Sequence, residues 1–216
     1  MFGLKVDFHV HSHFSSDSNL SPREILKIAE KLGLDAVAIT DHNTIEGGKY
    51  AKKLSKKIIV FVGSEIKTNE GEVIGLNLRR EIREGLPLLE TCRRIKEQGG
   101  FVIIPHPFDR MRRGIGSLIE KVIGYIDAVE VFNARTLMDR FNRESLSFAE
   151  RHNLPKVAGS DAHFADELGS AYTIVLSEKR EDAILKAVKN GKTSVFGEKT
   201  GIRPHIKTFL TRVKLL

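Results

Sequence analysis

The sequence predicts a single-domain α/β fold with a mostly parallel sheet and helices outside it. Three observations predict it. Short apolar runs alternate with helix-like stretches along the whole chain, the pattern of repeated strand–helix units. No low-complexity linker or shift in composition divides the 216 residues, which suffice for one core. Five of the apolar runs end in histidine, aspartate or glutamate, and in a parallel barrel such strand ends share one rim. About seven such units fit either a closed barrel or an open doubly wound sheet. The missing glycine-rich turn after the first run weakens the dinucleotide-binding form of the latter.

Leu4–Phe8 reads as the first strand. Ser21-Pro22-Arg23-Glu24 supplies an N-cap, a first-turn proline and an acidic residue for the helix N-terminus. Ile25, Leu26, Ile28, Ala29 and Leu32 follow at helical spacing, and Gly33 ends that helix. Ala36–Ile39 and Ile58–Val62 read as the next strands, with Val73–Leu78 as a hairpin partner. Leu86–Gln98 is helical and stops at Gly99-Gly100. Phe101–Ile104, Ala128–Val131, Lys156–Ala158 and Tyr172–Leu176 supply four more strands, and Leu137–His152 and Arg180–Asn190 are helices. The expected division is a domain over 1–200 and a basic tail over 201–216, read as a closing strand or a segment packed on the barrel.

The formal charge of +7 fits a lysine-rich surface or attraction to phosphate-bearing ligands, and does not separate a nucleotide from RNA. A lone cysteine, Cys92, excludes an intramolecular disulfide; it falls on a helix and reads as packed. The simplest setting is a reducing cytoplasm. The opening MFGLKVDFHV is too short an apolar run for a signal peptide, and no run approaches the ~20 residues of a membrane span.

The chemistry sits at the run ends. The first closes on Asp7-Phe8-His9-Val10-His11-Ser12. Residues two apart on a strand face the same side, so His9 and His11 can reach one ion together. Thr40-Asp41-His42-Asn43, Gly63-Ser64-Glu65, Pro105-His106-Pro107 and Gly159-Ser160-Asp161-Ala162-His163 close four more. Imidazole and carboxylate together suit zinc, manganese or iron, and a set without cysteine is not a structural zinc knuckle. A bridging carboxylate can hold a pair of ions suited to in-line displacement at phosphorus. Arg135 follows a strand end, and Arg110, Arg112 and Arg113 follow the His106 motif. Guanidinium forks suit phosphate oxygens, and Arg135 and Arg110 are the expected pair. His13 continues the row of His9 and His11; it, His152 and His205 read as surface or core residues. Asp41 either orients a ligand or loop amide, or caps the next helix.

The motifs DFHVHS, TDHN, GSE, PHP and GSDAH, in that order from Asp7 to about Thr173, resemble the polymerase-and-histidinol-phosphatase (PHP) superfamily, in its short stand-alone form. The resemblance implies a distorted (β/α)7 TIM-like barrel with two or three divalent ions, manganese, zinc or iron. It implies that His9, His11, Glu65 and Asp161 hold one ion. Glu65 would bridge to a second, also held by His106, and Asp17, His42 and His163 would hold a third. Asp17 comes from the resemblance alone, since SSDS by itself reads as a turn. Two positions depart from the family's pattern. Asn133 stands where many members have histidine or cysteine, which assigns it to a weaker second ion or to substrate. Glu72 stands where several have histidine.

The implied activity is hydrolysis of phosphate monoesters, or of terminal phosphodiesters of small nucleotides or oligonucleotides, by metal-activated hydroxide. His42, Glu65, Asp161 and His163 are the expected catalytic set, with His42, His163 or an ion-bound water passing a proton to the leaving oxygen. The expected partner is a small phosphorylated substrate and no membrane. A phosphatase for a metabolite such as histidinol phosphate is a close rival. A non-catalytic RNA-binding barrel, like ribonuclease P protein subunits, is favoured slightly by the tail residues Lys207, Arg212 and Lys214. Amidohydrolase chemistry lacks its usual later ligand pattern.

Overall fold

A computed structural model describes residues 2–213. Nine strands form one sheet: β1 (Phe2–Val10), β2 (Ala36–Ile39), β3 (Ile59–Thr68), β4 (Gly71–Leu76), β5 (Phe101–Ile104), β6 (Ala128–Asn133), β7 (Lys156–Gly159), β8 (Ala171–Ser177) and β9 (Thr193–Gly197). Their order is β7-β6-β5-β4-β3-β2-β1-β8-β9. The helices are α1 (Pro22–Lys31), α2 (Glu46–Leu54), α3 (Leu88–Glu97), α4 (Asp139–Arg151), α5 (Glu181–Lys189) and α6 (Arg203–Arg212), with a 3-10 helix over Gly116–Tyr125.

β1, β2, β3, β5, β6 and β7 all run the same way, so their carboxyl ends lie on one rim. The sheet curls until β7 returns beside β1. Asp161 N donates to His9 O at 2.7 Å and His11 N to Ala162 O at 2.8 Å, and Val10 pairs in parallel with Ala162. The outcome is the expected α/β barrel in one domain, nearly closed. β4 runs against its neighbours because only Asn69-Glu70 joins it to β3, and a two-residue connection can join only antiparallel strands. β8 is likewise antiparallel to β1.

Apolar residues of alternate strand positions fill the barrel, among them Val6, Phe8, Ala38, Phe61, Ile74, Ile103 and Val157. A second apolar layer lies under α3, α4 and the 3-10 helix. α1 starts on the expected box: Ser21 Oγ accepts from Glu24 N at 3.2 Å, and Ser21 N donates to Glu24 Oε2 at 2.9 Å.

Two helices depart from the expectation. α2, EGGKYAKKL, is a segment to which the sequence assigns no element. Its glycines serve close approach. A Cβ on Gly48 would lie 3.1 Å from Val62 Cα, and one on Gly47 would lie 2.0 Å from Asp41 Oδ2. The tail forms α6, not a strand; Lys214 lies outside the described residues. Among the described residues no helix is long and apolar enough to cross a membrane.

Cys92 is buried against α3's neighbours, and burial pushes its thiol up to about 12. The native protein should therefore be silent to aromatic disulfide reagents and react at its one thiol only in denaturant. Stoichiometric reaction of the folded chain would contradict this packing.

Candidate metal centre

Each of the six co-directional strands delivers a polar group to the same rim. β1 brings His9 and His11, β2 His42, β3 Glu65, β5 His106, β6 Asn133 and Arg135, and β7 Asp161 and His163. The backbone strains to present two of them: Asp161 has φ 55° and His106, between two prolines, φ 29°. Non-glycine residues in that region cost energy and cluster at functional sites. β1 and β6 each break register beside the site, between Asp7 and Val10 and between Glu130 and Phe132. Such bulges re-aim side chains.

The ligand atoms converge. His9 Nε2 lies 3.0 Å from His11 Nε2 and 3.5 Å from Glu65 Oε1. His11 Nε2 lies 3.5 Å from Glu65 Oε2, and Asp161 Oδ1 lies 3.4 Å from His11 Nε2 and 3.6 Å from His9 Nε2. Atoms bound to one ion at about 2.0–2.2 Å, at right to tetrahedral angles, lie roughly 3–3.6 Å apart. Glu65 Oε1 also lies 3.0 Å from His106 Nε2, and Glu72 reaches the same nitrogen at 3.9 Å. Asp17 Oδ2 stands 3.4 Å from both His42 Nε2 and His163 Nε2. The three ligand groups implied by the resemblance are therefore each brought together.

The tautomers decide what this means. His9 Nδ1 lies 3.0 Å from Glu130 Oε1, an acceptor, so Nδ1 carries the proton. Ser15 Oγ donates to Asp41 Oδ1 at 3.0 Å and so accepts from His11 Nδ1 at 3.2 Å. In the neutral rings both Nε2 lone pairs then face each other across 3.0 Å. Such a contact is relieved by a proton on one Nε2, which, against the cost of burial, the surrounding Asp161, Glu130 and Glu65 carboxylates favour on His9, or by a cation beside both. Asp161 Oδ1 and Asp17 Oδ1 are buried without a hydrogen-bond partner, a costly state in a pocket of this kind. Burial pushes the Glu65 and Asp161 carboxyls up. The His9 charge and the His106 bond outweigh it at Glu65, and the Arg112 and His9 charges at Asp161, so both sit well below the carboxylate range. The donor set fits divalent ions.

A supporting layer fixes these rings. Glu130, which the sequence reading passed over, also accepts from His106 N at 2.8 Å and from Asn133 Nδ2 at 3.0 Å. The signal was there: a glutamate inside the apolar strand Ala128-Val129-Glu130-Val131 needs a buried partner. Asp41 accepts from Ser12 N at 2.6 Å and Ser12 Oγ at 2.7 Å, so it orients the loop after β1 and does not cap α2, whose N-cap is Ile45.

Three placements correct the sequence reading. Asn133 is fully buried and its amide is used up: Nδ2 donates to Asp161 Oδ2 at 3.0 Å as well as to Glu130, and Oδ1 accepts from Arg112 at 2.9 Å and Arg135 N at 3.0 Å. It positions Asp161 and Arg112 instead of facing substrate or ion. Arg110 is exposed and outside the pocket lining, and Arg112, two residues on, takes its place by pairing with Asp161. The reason is the tight loop after His106, where Gly114 N and Arg112 N both donate to Asp109 O at 3.0 Å. His205, read as a surface or core residue, lies 2.8 Å from Arg135 O and lines the pocket. His13 and His152 are exposed.

A barrel rim with clustered histidines and carboxylates under arginines defines a metal-binding hydrolase-type architecture. Comparison with known proteins gives the family. A family model described as PHP-associated matches residues 139–193. An uncharacterized protein of Methanocaldococcus jannaschii is 47% identical over 143 residues, 61% of this chain and 82% of that protein. A 5′-3′ exoribonuclease of Haemophilus influenzae is 34% identical over 100 residues, 44% of this chain but only 36% of the enzyme. A two-domain protein of Bacteroides vulgatus containing a predicted PHP-like metal-dependent phosphoesterase superposes with TM-score 0.74 at 23% identity, over 90% of this chain and 65% of that one. The chain belongs to the PHP superfamily.

Proposed function

We propose that the chain is a metal-dependent phosphoesterase acting on phosphate monoesters, or on terminal phosphodiesters of small nucleotides or oligonucleotides. The observation that carries this reading is the convergence of His9 Nε2 and His11 Nε2, 3.0 Å apart, with Glu65 and Asp161 each 3.4–3.6 Å from both nitrogens, buried beside an arginine-lined pocket that Glu65 reaches. His9, His11, Glu65 and Asp161 would hold one ion, Glu65 and His106 a second, and Asp17, His42 and His163 a third; manganese, zinc and iron suit these donors. Bound ions supply a water of lowered pKa and offset the phosphate charge.

The chain's own residues do the rest. Arg112 and Arg135, both lining the pocket, supply the positive charge that attracts the phosphate. His42 and His163 share Asp17 and face the pocket; His42, 27% exposed against 3%, is the better placed to pass a proton to the leaving oxygen.

The test is elemental analysis of the purified protein together with hydrolysis of p-nitrophenyl phosphate and a 5′-mononucleotide in Mn2+, Zn2+ and Fe2+, for wild type and His11→Ala. Bound metal and metal-dependent turnover lost in His11→Ala are expected; neither metal nor turnover in wild type would end the proposal. Within it, Arg112→Ala should raise KM roughly tenfold or more, and Arg110→Ala should stay within about twofold, as for an exposed charge. Equal effects would return Arg110 to the site.

A further inference from the structure

One wall of the pocket is made by a segment that carries no ligand motif. His205, Thr208, Phe209 and Arg212, all on α6, line the same cavity as Asp17 and Arg135. The helix is held there by polar contacts with the site's own residues. His205 Nε2 donates to Arg135 O at 2.8 Å, Arg135 donates to Thr208 Oγ1 at 2.5 Å, and Arg212 donates to Asp17 Oδ2 at 2.5 Å. Lys207 adds a pair with Asp166 at 2.7 Å.

Core packing contributes little to this docking. α6 buries only Pro204 and Thr208, and Ile206 and Phe209 stay 53% and 63% exposed. Phe209 joins the equally exposed Met111 as the apolar part of the pocket lining. The cavity so formed is about 280 Å³, at or below the lower end of the roughly 300–1,000 Å³ typical of small-molecule sites. α6 thus narrows the space beside the site.

We propose that α6 is a specificity wall: among the esters named above it selects those of small molecules over oligonucleotide strands, with Arg212 anchoring it across the pocket. The substrate class is a single phosphate for the arginines with a compact, partly apolar organic group for Phe209 and Met111. This rests on the phosphoesterase reading above. Arg212 acts here through the wall and not on the reacting atoms.

The experiment compares wild type with a chain ending at Gly201 and with Arg212→Ala and Phe209→Ala. Two ratios are read for p-nitrophenyl phosphate or inorganic phosphate against a short 5′-phosphorylated single strand: kcat/KM with Mn2+, and Kd by titration with inorganic phosphate and the strand. The truncation should shift both ratios toward the strand by about tenfold or more, and the point variants should shift them in the same direction by less. Circular dichroism and metal content verify that the barrel is intact; if the truncated chain does not fold, the two point variants decide. Unchanged ratios, or a wild type that takes the strand as readily as the small ester, would overturn the wall. If wild type hydrolyses neither ester, the functional reading fails while the Kd ratio still decides the role of α6.

Discussion

Glu65→Gln should weaken metal binding by more than about 100-fold, beyond the upper end of what losing an outer-shell partner costs, and should remove metal-dependent hydrolysis with it. Glu65 is the one carboxylate that touches four of the rings: His106 at 3.0 Å, His42 at 3.1 Å, and His9 and His11 at 3.5 Å. Glutamine keeps the shape and deletes the charge. Its amide hydrogens would point at nitrogens that offer lone pairs. Elemental analysis and activity titrated against Mn2+ measure the effect. The fold should survive, because the backbone of β3 bonds through Glu65 N to Thr40 O at 3.1 Å regardless of the side chain. Full metal occupancy in the variant would remove Glu65 from the centre.

Gly159→Ala should produce an equally large loss by a different route. Gly159 ends β7, where the sheet closes on β1. A Cβ there would lie 2.3 Å from His9 Cβ, 2.6 Å from Glu130 Oε1 and 3.1 Å from His9 N. His9 Cβ and the His9 backbone cannot give way as a flexible chain end does. Overpacking of this kind costs about 1–3 kcal/mol or more, or several degrees of Tm at roughly 2–4 °C per kcal/mol for a chain of this size. It should also break the Glu130–His9 bond that fixes the ring tautomer. Gly124→Ala, where a Cβ meets nothing within 4 Å, is the control and should leave Tm and metal content unchanged. Thermal melts in the presence and absence of chelator separate the two effects; a wild-type-like Gly159→Ala would show that β7 and β1 are less closely packed than described.

Much of this centre was legible before any coordinates. His9, His11, His42, Glu65, His106, Asp161 and His163 all lie in or just after strands whose apolar patterns are strong, so type and position could be read together. Asp17 needed the family pattern, because a loop aspartate carries no periodicity. The misses share one cause: contacts between segments distant in sequence. Glu130 matters through His9, 121 residues away, and Arg112 through Asp161, 49 residues away. Arg110 and Arg112 look alike in sequence, and only the turn at Asp109 decides which faces the pocket. α2 and α6 were missed because glycine and mixed polarity hide helices whose stability comes from docking and not from propensity.

Cys92 has a practical consequence. With its only thiol buried and pushed up to about 12, the chain is in effect a blank background for site-directed labelling. A cysteine placed on an exposed face would be the sole reactive handle, with no native thiol to remove first. One at Ile206 on α6, paired with a dye or spin label, would let the position of that helix be followed in real time while phosphate or metal is added.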